Sequence, residues 1–334
     1  MKTEFLNTQK IGANGDNIAP VEILTWQRGA TLREGAPVVA VIGNFDGVHK
    51  GHQHLISTAK MLADDLELPL AVLTFTPHPR AFFRPQDPPF LIMDATQKQE
   101  VLAAHGANII VNISFDEALR VASPEEFANE VLKPLHIVHL FAGEDFAFGK
   151  ARAGDIHTLA ELGAGFDMQA TGVSLAFDNH HMVISSSRIR AALQAGQVDL
   201  ASDMLGRPYV LSGLVRQGDQ RGRTIGFPTA NLPLTDQLQP AFGVYAITAK
   251  IGQGANAQIC DGVANIGIRP TVNDRGVLAE AHLFDFQGDI YGQRIEIALK
   301  GYVRAEMKFE GLDALRAQIA KDTETAKQML AQSK

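Results

Sequence analysis

Val38-Val39-Ala40-Val41-Ile42-Gly43-Asn44-Phe45-Asp46-Gly47-Val48-His49-Lys50-Gly51-His52 is the stretch on which the fold of this 334-residue chain turns. Val38 to Ile42 is an unbroken apolar run, the pattern of a strand buried on both faces. A glycine-bearing turn follows, and from His54 to Leu66 the apolar residues Leu55, Ala59, Leu62 and Leu66 recur at helical spacing. Strand, turn and helix in that order set a helix N-terminus, with its unpaired amides, beyond the strand's carboxyl end. An anion suits that position. His49 and His52 flank Gly51, which lets the backbone approach a ligand closely. Two imidazoles there can donate hydrogen bonds to phosphate oxygens whose charge grows in a transition state. Two histidines at this spacing mean little alone; their place after a first buried strand carries the reading.

The same rhythm runs outward. Leu70–Phe75, Ile109–Ile113 and Ile137–Ala142 read as further strands. Asp94-Ala95-Thr96-Gln97 and Ser123-Pro124-Glu125-Glu126 open intervening helices, and Gly106 ends the first of these. Strands alternating with helices predict a parallel α/β sheet covered on both faces, with ligands beyond the carboxyl ends of its strands. After Gly206-Arg207-Pro208 the rhythm changes. Tyr209–Val215, Gly243–Ile251, Ile259–Asn265, Leu278–Phe286 and Arg294–Val303 read as closely spaced strands, which predicts a small antiparallel β-barrel. Leu312–Leu330 reads as one amphipathic helix packed on it. The length suits two domains, and the boundary falls near 205, after a helical linker over Ser186–Gly206.

A net charge of -7 argues against a nucleic-acid or membrane-surface binder, so anionic ligands must be held locally by amides and a few placed cations. The single cysteine, Cys260, excludes an intramolecular disulfide framework and a cysteine-rich zinc site. Met1 to Asn17 lacks a signal-peptide pattern, and no apolar run approaches the roughly 20 residues that span a bilayer. A cytoplasmic location is expected.

Other segments carry possible phosphate chemistry. Ser185, Ser186 and Ser187 either cap a helix or offer amides and hydroxyls to a triphosphate, with Arg190 one turn further on. Gly218 to Asn231 is glycine-punctuated and is neither a Walker loop nor a protein-kinase glycine loop. It reads as an ordinary hairpin loop or as a phosphate cradle in which Thr229 and Asn231 offer neutral oxygens to magnesium. Strand alternation sets Glu280 on the face of Leu278, His282 and Phe284. A carboxylate on a largely apolar face is costly unless paired or functional, whereas on a solvent-facing strand it is ordinary.

Gly43 to His52 resembles the His-x-Gly-His signature of the nucleotidylyltransferase superfamily, and the longer match resembles bacterial FAD synthetases. Phe75-Thr76-Pro77-His78-Pro79, Gly143-Glu144-Asp145-Phe146-Ala147-Phe148-Gly149 and Ile184 to Arg190 resemble further segments of that family. Asp145 stands where some members have Asn, and Ser187 where the family pattern has Thr. Pro228-Thr229-Ala230-Asn231 resembles the hallmark of riboflavin kinases. The resemblance spans about residues 38 to 330, and both halves point to bacterial bifunctional riboflavin kinase/FAD synthetases.

It implies a Rossmann-like FMN adenylyltransferase domain over 14–205 and a barrel-shaped riboflavin kinase domain over 206–334. The implied substrates are ATP, riboflavin and FMN, with Mg2+. His49, His52 and Arg190 would share charge neutralisation in adenylyl transfer. Gly43, Asn44, Phe45, Asp46, Gly47, Asp145, Ser186 and Ser187 would hold its ATP. In the kinase, Gly222, Gly226, Thr229 and Asn231 would hold ATP, the last two also the metal. Glu280 would be the base and Arg304 a flavin contact. Competing readings are a lone riboflavin kinase with a degenerate front half, a flavin-responsive regulator, and transfer of CMP or AMP to another phosphate. Intact His49, His52 and Arg190 speak against the first, and the lack of a visible DNA-binding appendage against the second.

Overall fold

The computed structural model describes residues 9–11, 21–28, 35–217, 229–252, 254, 257–268 and 276–332. Among them, residues up to Asp87 pack with Ala95–Ile184 as one compact unit, and Pro88–Asp94 pack with Ser185 onward as a second.

In the first unit, β1 (Gln9–Ile11), β2 (Val21–Trp26), β3 (Val38–Ile42), β4 (Leu70–Thr76), β5 (Ile109–Ser114), β6 (Ile137–Gly143) and β7 (Gln169–Val173) form one sheet. Its order is β1-β2-β5-β4-β3-β6-β7, parallel except for the β1–β2 pair. The four expected strands are β3 to β6; β1, β2 and β7 are additional. All five residues of β3 are buried, as its apolar run requires. From β3 the chain steps to β4 and β5 on one side, then returns to lay β6 on the other. That reversal opens a crevice at the carboxyl end of β3, where the Gly43–His52 segment emerges.

The helix after it spans Lys50–Asp65 rather than starting at His54, because His49 caps it. Its buried face is Leu55, Ile56, Ala59 and Ala63, while Leu66 is exposed. The helix Ala95–Ala104 is followed by Gly106 at φ 91, and Ser123 with Glu126 forms a capping box on the helix from Pro124, as expected.

The second unit holds an antiparallel sheet of β8 (Tyr209–Leu214), β9 (Ala230–Pro233), β10 (Gly243–Ile251), β11 (Gln258–Ile268), β12 (Val277–Leu283) and β13 (Arg294–Ala305). Its order is β8-β13-β10-β11-β12-β9. Just past β8, Arg216 bridges Asn231 of β9, its N–H donating to the Asn231 carbonyl at 2.8 Å, which brings the two edges together into a nearly closed barrel. The expected five strands are thus six: Ala230–Pro233, read as the end of a loop, pairs with β12. The C-terminal helix, Leu312–Gln332, packs Ala326 and Leu330 on Val244, Ala246 and Val263 of the barrel.

The barrel begins just after the expected boundary near 205, and the helices Ser186–Gln194 and Val198–Leu205 pack in the same unit as the barrel. So does the segment Pro88–Asp94. Leu91 accepts from the Leu238 N–H at 2.7 Å, and the Asp94 carboxylate accepts from Ser212 Oγ at 2.5 Å and Arg294 at 2.6 Å.

Candidate active sites

The turn after β3 is held in a conformation that ordinary residues avoid. Phe45, Gly47 and Val48 have φ of 48°, 83° and 37°, and for a β-branched residue such as Val48 this is strained backbone. Packing over-determines it: Phe45 and Val48 are fully buried, and Gln53 Nε2 donates to the Val48 carbonyl at 2.8 Å. A Cβ at Gly43 would meet the Phe45 ring at 3.3 Å, so the glycine there makes room for that ring.

His49 ends the turn as the helix N-cap, its Nδ1 accepting from the His52 N–H at 3.3 Å. An Nδ1 that accepts leaves the neutral ring's proton on Nε2, a donor suited to an anion. The His49 and His52 rings stack at 3.7 Å and 17°, and Phe45 meets His52 edge-on at 5.2 Å. Gly51 is needed for this, because a Cβ there would stand 3.1 Å from both Cε1 and Nδ1 of His49. The motif's spacing is therefore a packing requirement as well as a chemical one.

Asp145 lies on the exposed loop after β6, the strand beside β3, and folds back over Gly143, where a Cβ would meet its Oδ1 at 2.8 Å. Ser185 caps the helix Ser186–Gln194 by accepting from the Arg188 N–H at 3.3 Å, so Ser186 and Ser187 occupy the first turn. That helix belongs to the second unit, where Arg190 donates Nε to the Phe90 carbonyl at 2.9 Å with its guanidinium over the Phe90 ring.

Two features of the first unit escaped the sequence reading. Half-buried Lys98, on the helix Ala95–Ala104, donates to the Asn44 carbonyl and to Thr74 Oγ1, each at 3.3 Å. Burial pulls its pKa below the ordinary lysine value, and buried Asp46 acts in the opposite direction. Beyond the ends of β4 and β5, Phe82, Phe83 and Phe115 form an edge-to-face cluster with centroids 5.4 to 5.8 Å apart, and Phe83 is 59% exposed. The adjacent aromatics Phe82-Phe83 were a visible signal.

In the barrel, Glu280 on β12 is directly opposed by Asn265 of β11 and Asn231 of β9. Opposed residues share a face, so two residues expected in the kinase site, Glu280 and buried Asn231, are brought side by side. The fully apolar face of β12 is the other one, formed by Val277, Ala279, Ala281 and Leu283; Leu278, Glu280 and His282 are half-buried. Glu280 is thus opposed by two amides on a face that also carries Leu278, Pro233 and Val263. A cavity of about 380 Å3 is lined by Thr229, Ala230, Ala281, Leu283, Phe286 and Tyr291 among others, a volume within the range of small-molecule sites. Gly222 and Gly226 lie outside the described residues.

Arg304 is engaged by the C-terminal helix. Its Nε and Nη2 donate to the carboxylate of Asp322 on the C-terminal helix at 2.7 to 3.1 Å, and Asp322 is 4% exposed. Gln318 Nε2 also donates to Asp322, at 2.7 Å, and the guanidinium lies over the Phe309 ring.

A parallel sheet with a histidine pair at its switch point, followed by a barrel that carries a cavity of small-molecule size, fits a nucleotide-dependent transferase of two modules. Residues 32–188 match the FAD synthetase family, and residues 205–330 match the riboflavin kinase family. The chain belongs to the bifunctional riboflavin kinase/FMN adenylyltransferases. The protein of that description from Haemophilus influenzae is 40% identical over 86% of this chain and 92% of its own. Those from Bacillus subtilis and Escherichia coli are 39% and 38% identical, over 88% and 89% of this chain and 92% and 94% of theirs. A solved structure described as a macrolide-efflux protein from Streptococcus pneumoniae is similar over 91% of this chain and 98% of its own, at 30% identity and a TM-score of 0.82. Among the described residues here, no helix is long and apolar enough to cross a membrane.

Proposed function

We propose that the two activities of this family, phosphorylation of riboflavin and adenylylation of the resulting FMN, are carried by the residues just described, within residues 206–334 and 14–205 respectively. The observation that carries the first module is the His49–His52 stack on a capped helix N-terminus at the switch point of the sheet. In adenylyl transfer an oxygen of the FMN phosphate attacks the α-phosphorus of ATP as the bond to the β-phosphate breaks and pyrophosphate leaves. The attacking phosphate is already ionised, so positioning and charge neutralisation supply the catalysis. His49 Nε2–H, His52 and Arg190 take that task. The amides from Gly43 to Gly47 and the first turn at Ser186 and Ser187 hold phosphate oxygens, with Asp145 reserved for the adenosine or a metal shell. The exposed ring of Phe83 in its aromatic cluster suits stacking against the flavin.

In the barrel, Glu280 accepts the proton of the riboflavin 5′-hydroxyl, whose oxygen attacks the γ-phosphorus of ATP and releases ADP. Thr229 and Asn231 offer neutral oxygens, a set that fits a magnesium ion keeping phosphate and water ligands; bound there, it would neutralise triphosphate charge. Gly222 and Gly226 complete the nucleotide loop in this reading. Arg304, pinned by Asp322, supports the flavin side by anchoring the C-terminal helix rather than by touching substrate. A cytoplasmic setting, with ATP at hand, fits these reactions.

The test is incubation with riboflavin, ATP and magnesium, with FMN and FAD resolved by chromatography. In His52→Ala, FMN accumulates and FAD does not form. In Glu280→Ala, riboflavin is not phosphorylated while supplied FMN is still converted to FAD. Joint loss of both activities in folded His52→Ala, or full kinase activity in Glu280→Ala, would refute the assignment.

A further inference from the structure

We propose that Lys98 is a positioning residue for adenylyl transfer, whose ammonium group fixes the turn after β3 in the shape that presents its amides and histidines to phosphate. The proposal rests on the reading of Gly43–His52 as the phosphate-handling segment.

Three elements converge on one carbonyl. Asn44 accepts from Lys98 Nζ at 3.3 Å and from Thr74 Oγ1 at 3.1 Å, and Lys98 also donates to Thr74 Oγ1 at 3.3 Å. Thr74 is 1% exposed on β4, the neighbour of β3, and Lys98 comes from the helix that precedes β5. The anchored carbonyl immediately precedes the positive-φ run that begins at Phe45. Left-handed non-glycine residues cost on the order of 1–3 kcal/mol each and persist only where their surroundings over-determine them. A short chain segment does not hold such a shape alone. Lys98 and Thr74 hold its entry, while His49 as N-cap holds its exit.

The anchor is charged for a reason. Asp46, 2% exposed, lies within the same turn and acts electrostatically on Lys98. A buried carboxylate in a segment that must receive phosphates is a liability without a cation facing it. Lys98, bonded to the carbonyl of Asn44 in that turn, supplies the cation. Methionine at position 98 would fill the space but offer neither the charge nor the donors.

The test is a steady-state comparison of Lys98→Met, Lys98→Arg and His52→Asn with the unaltered protein. Both FAD formation from FMN and FMN formation from riboflavin are followed, and folding is monitored by thermal unfolding. Misplacement of catalytic groups by about 1 Å costs about 100-fold, so Lys98→Met is expected to lower kcat for FAD formation by about 10- to 100-fold. Its riboflavin phosphorylation stays within about 2-fold, because the other module does not use Lys98. Lys98→Arg, which keeps the charge and donors, restores FAD formation to within about 5-fold. FAD formation by folded Lys98→Met at the unaltered rate would overturn the proposal, as would a folded Lys98→Arg no better than Lys98→Met. If Lys98→Met does not fold, Lys98→Arg decides alone: near-normal FAD formation supports the role of the charge, and a folded but inactive variant overturns it. Full FAD formation by His52→Asn would instead remove the reading of the whole segment, and this proposal with it. Loss in His52→Asn beside normal Lys98→Met would remove only the role of Lys98.

Discussion

Gly51→Ala would test the histidine pair with a single methyl group. The added Cβ would stand 3.1 Å from Cε1 and Nδ1 of His49 and 3.5 Å from the Ile184 carbonyl oxygen. Carbon contacts are comfortable at about 3.5–4.0 Å, so the His49 ring must retreat by a few tenths of an ångström. It has little room. The ring is 6% exposed and stacks on His52 at 3.7 Å, and Phe45 meets His52 from its side. The Nδ1 bond to the His52 N–H, already at 3.3 Å, lengthens further if the ring tilts. Both histidines therefore shift together. Since about 1 Å of misplacement costs about 100-fold, a shift of this size should slow FAD formation by about 10-fold. Stability should move the other way or not at all, because alanine in a helix is favoured over glycine by about 0.5–1 kcal/mol, which offsets the tight contact. Pyrophosphate release from FMN and ATP reads the activity, riboflavin phosphorylation serves as the internal control, and thermal unfolding reads the stability. An unaltered rate of FAD formation in folded Gly51→Ala would refute the claim that the glycine exists to seat the histidine stack.

Asp322→Ala removes the carboxylate that accepts three bonds from Arg304 and one from Gln318, and breaking such a buried pair costs on the order of 3 kcal/mol. Denaturant unfolding should show that loss while the KM for riboflavin in folded Asp322→Asn stays within about 2-fold. A large rise in KM without loss of stability would return Arg304 to the flavin site. The pH profile of FAD formation offers a further check on Lys98. Burial lowers its pKa against the opposing pull of Asp46, so protonated Lys98 is lost on the alkaline side sooner than an ordinary lysine would be. Activity should fall there, and Lys98→Arg, whose charge persists far beyond a lysine's range, should lose that limb; an identical profile in Lys98→Arg would assign it to another group.

Legibility in the sequence followed the range over which each feature is determined. β3 to β6 announce themselves because strands buried on both faces are apolar throughout. β2 carries Glu22 and β7 runs Gln169-Ala170-Thr171-Gly172-Val173 along a sheet edge, largely exposed, so neither presents such a run. The histidine pair was legible because its parts are contiguous. Lys98 was not: it reaches the turn from a helix some fifty residues away, and only the fold makes them neighbours. The Arg304–Asp322 pair is likewise invisible, since it depends on how the C-terminal helix lies on β13.

Glu280 shows the same limit from the other side. Its alternation with Leu278 and His282 was readable, but its partner is set by register: Glu280 faces Asn231 only because Ala281 pairs with Ala230 and Ala279 with Leu232. A slip of one residue would turn Glu280 into the core and bring the alanines out, since side chains alternate strictly between faces. The apolar series Val277, Ala279, Ala281 and Leu283 forbids that slip. The buried apolar residues of β12 therefore fix which residues Glu280 opposes. This is why the short strand Ala230–Pro233, unreadable as a strand by itself, becomes one as soon as β12 is folded beside it.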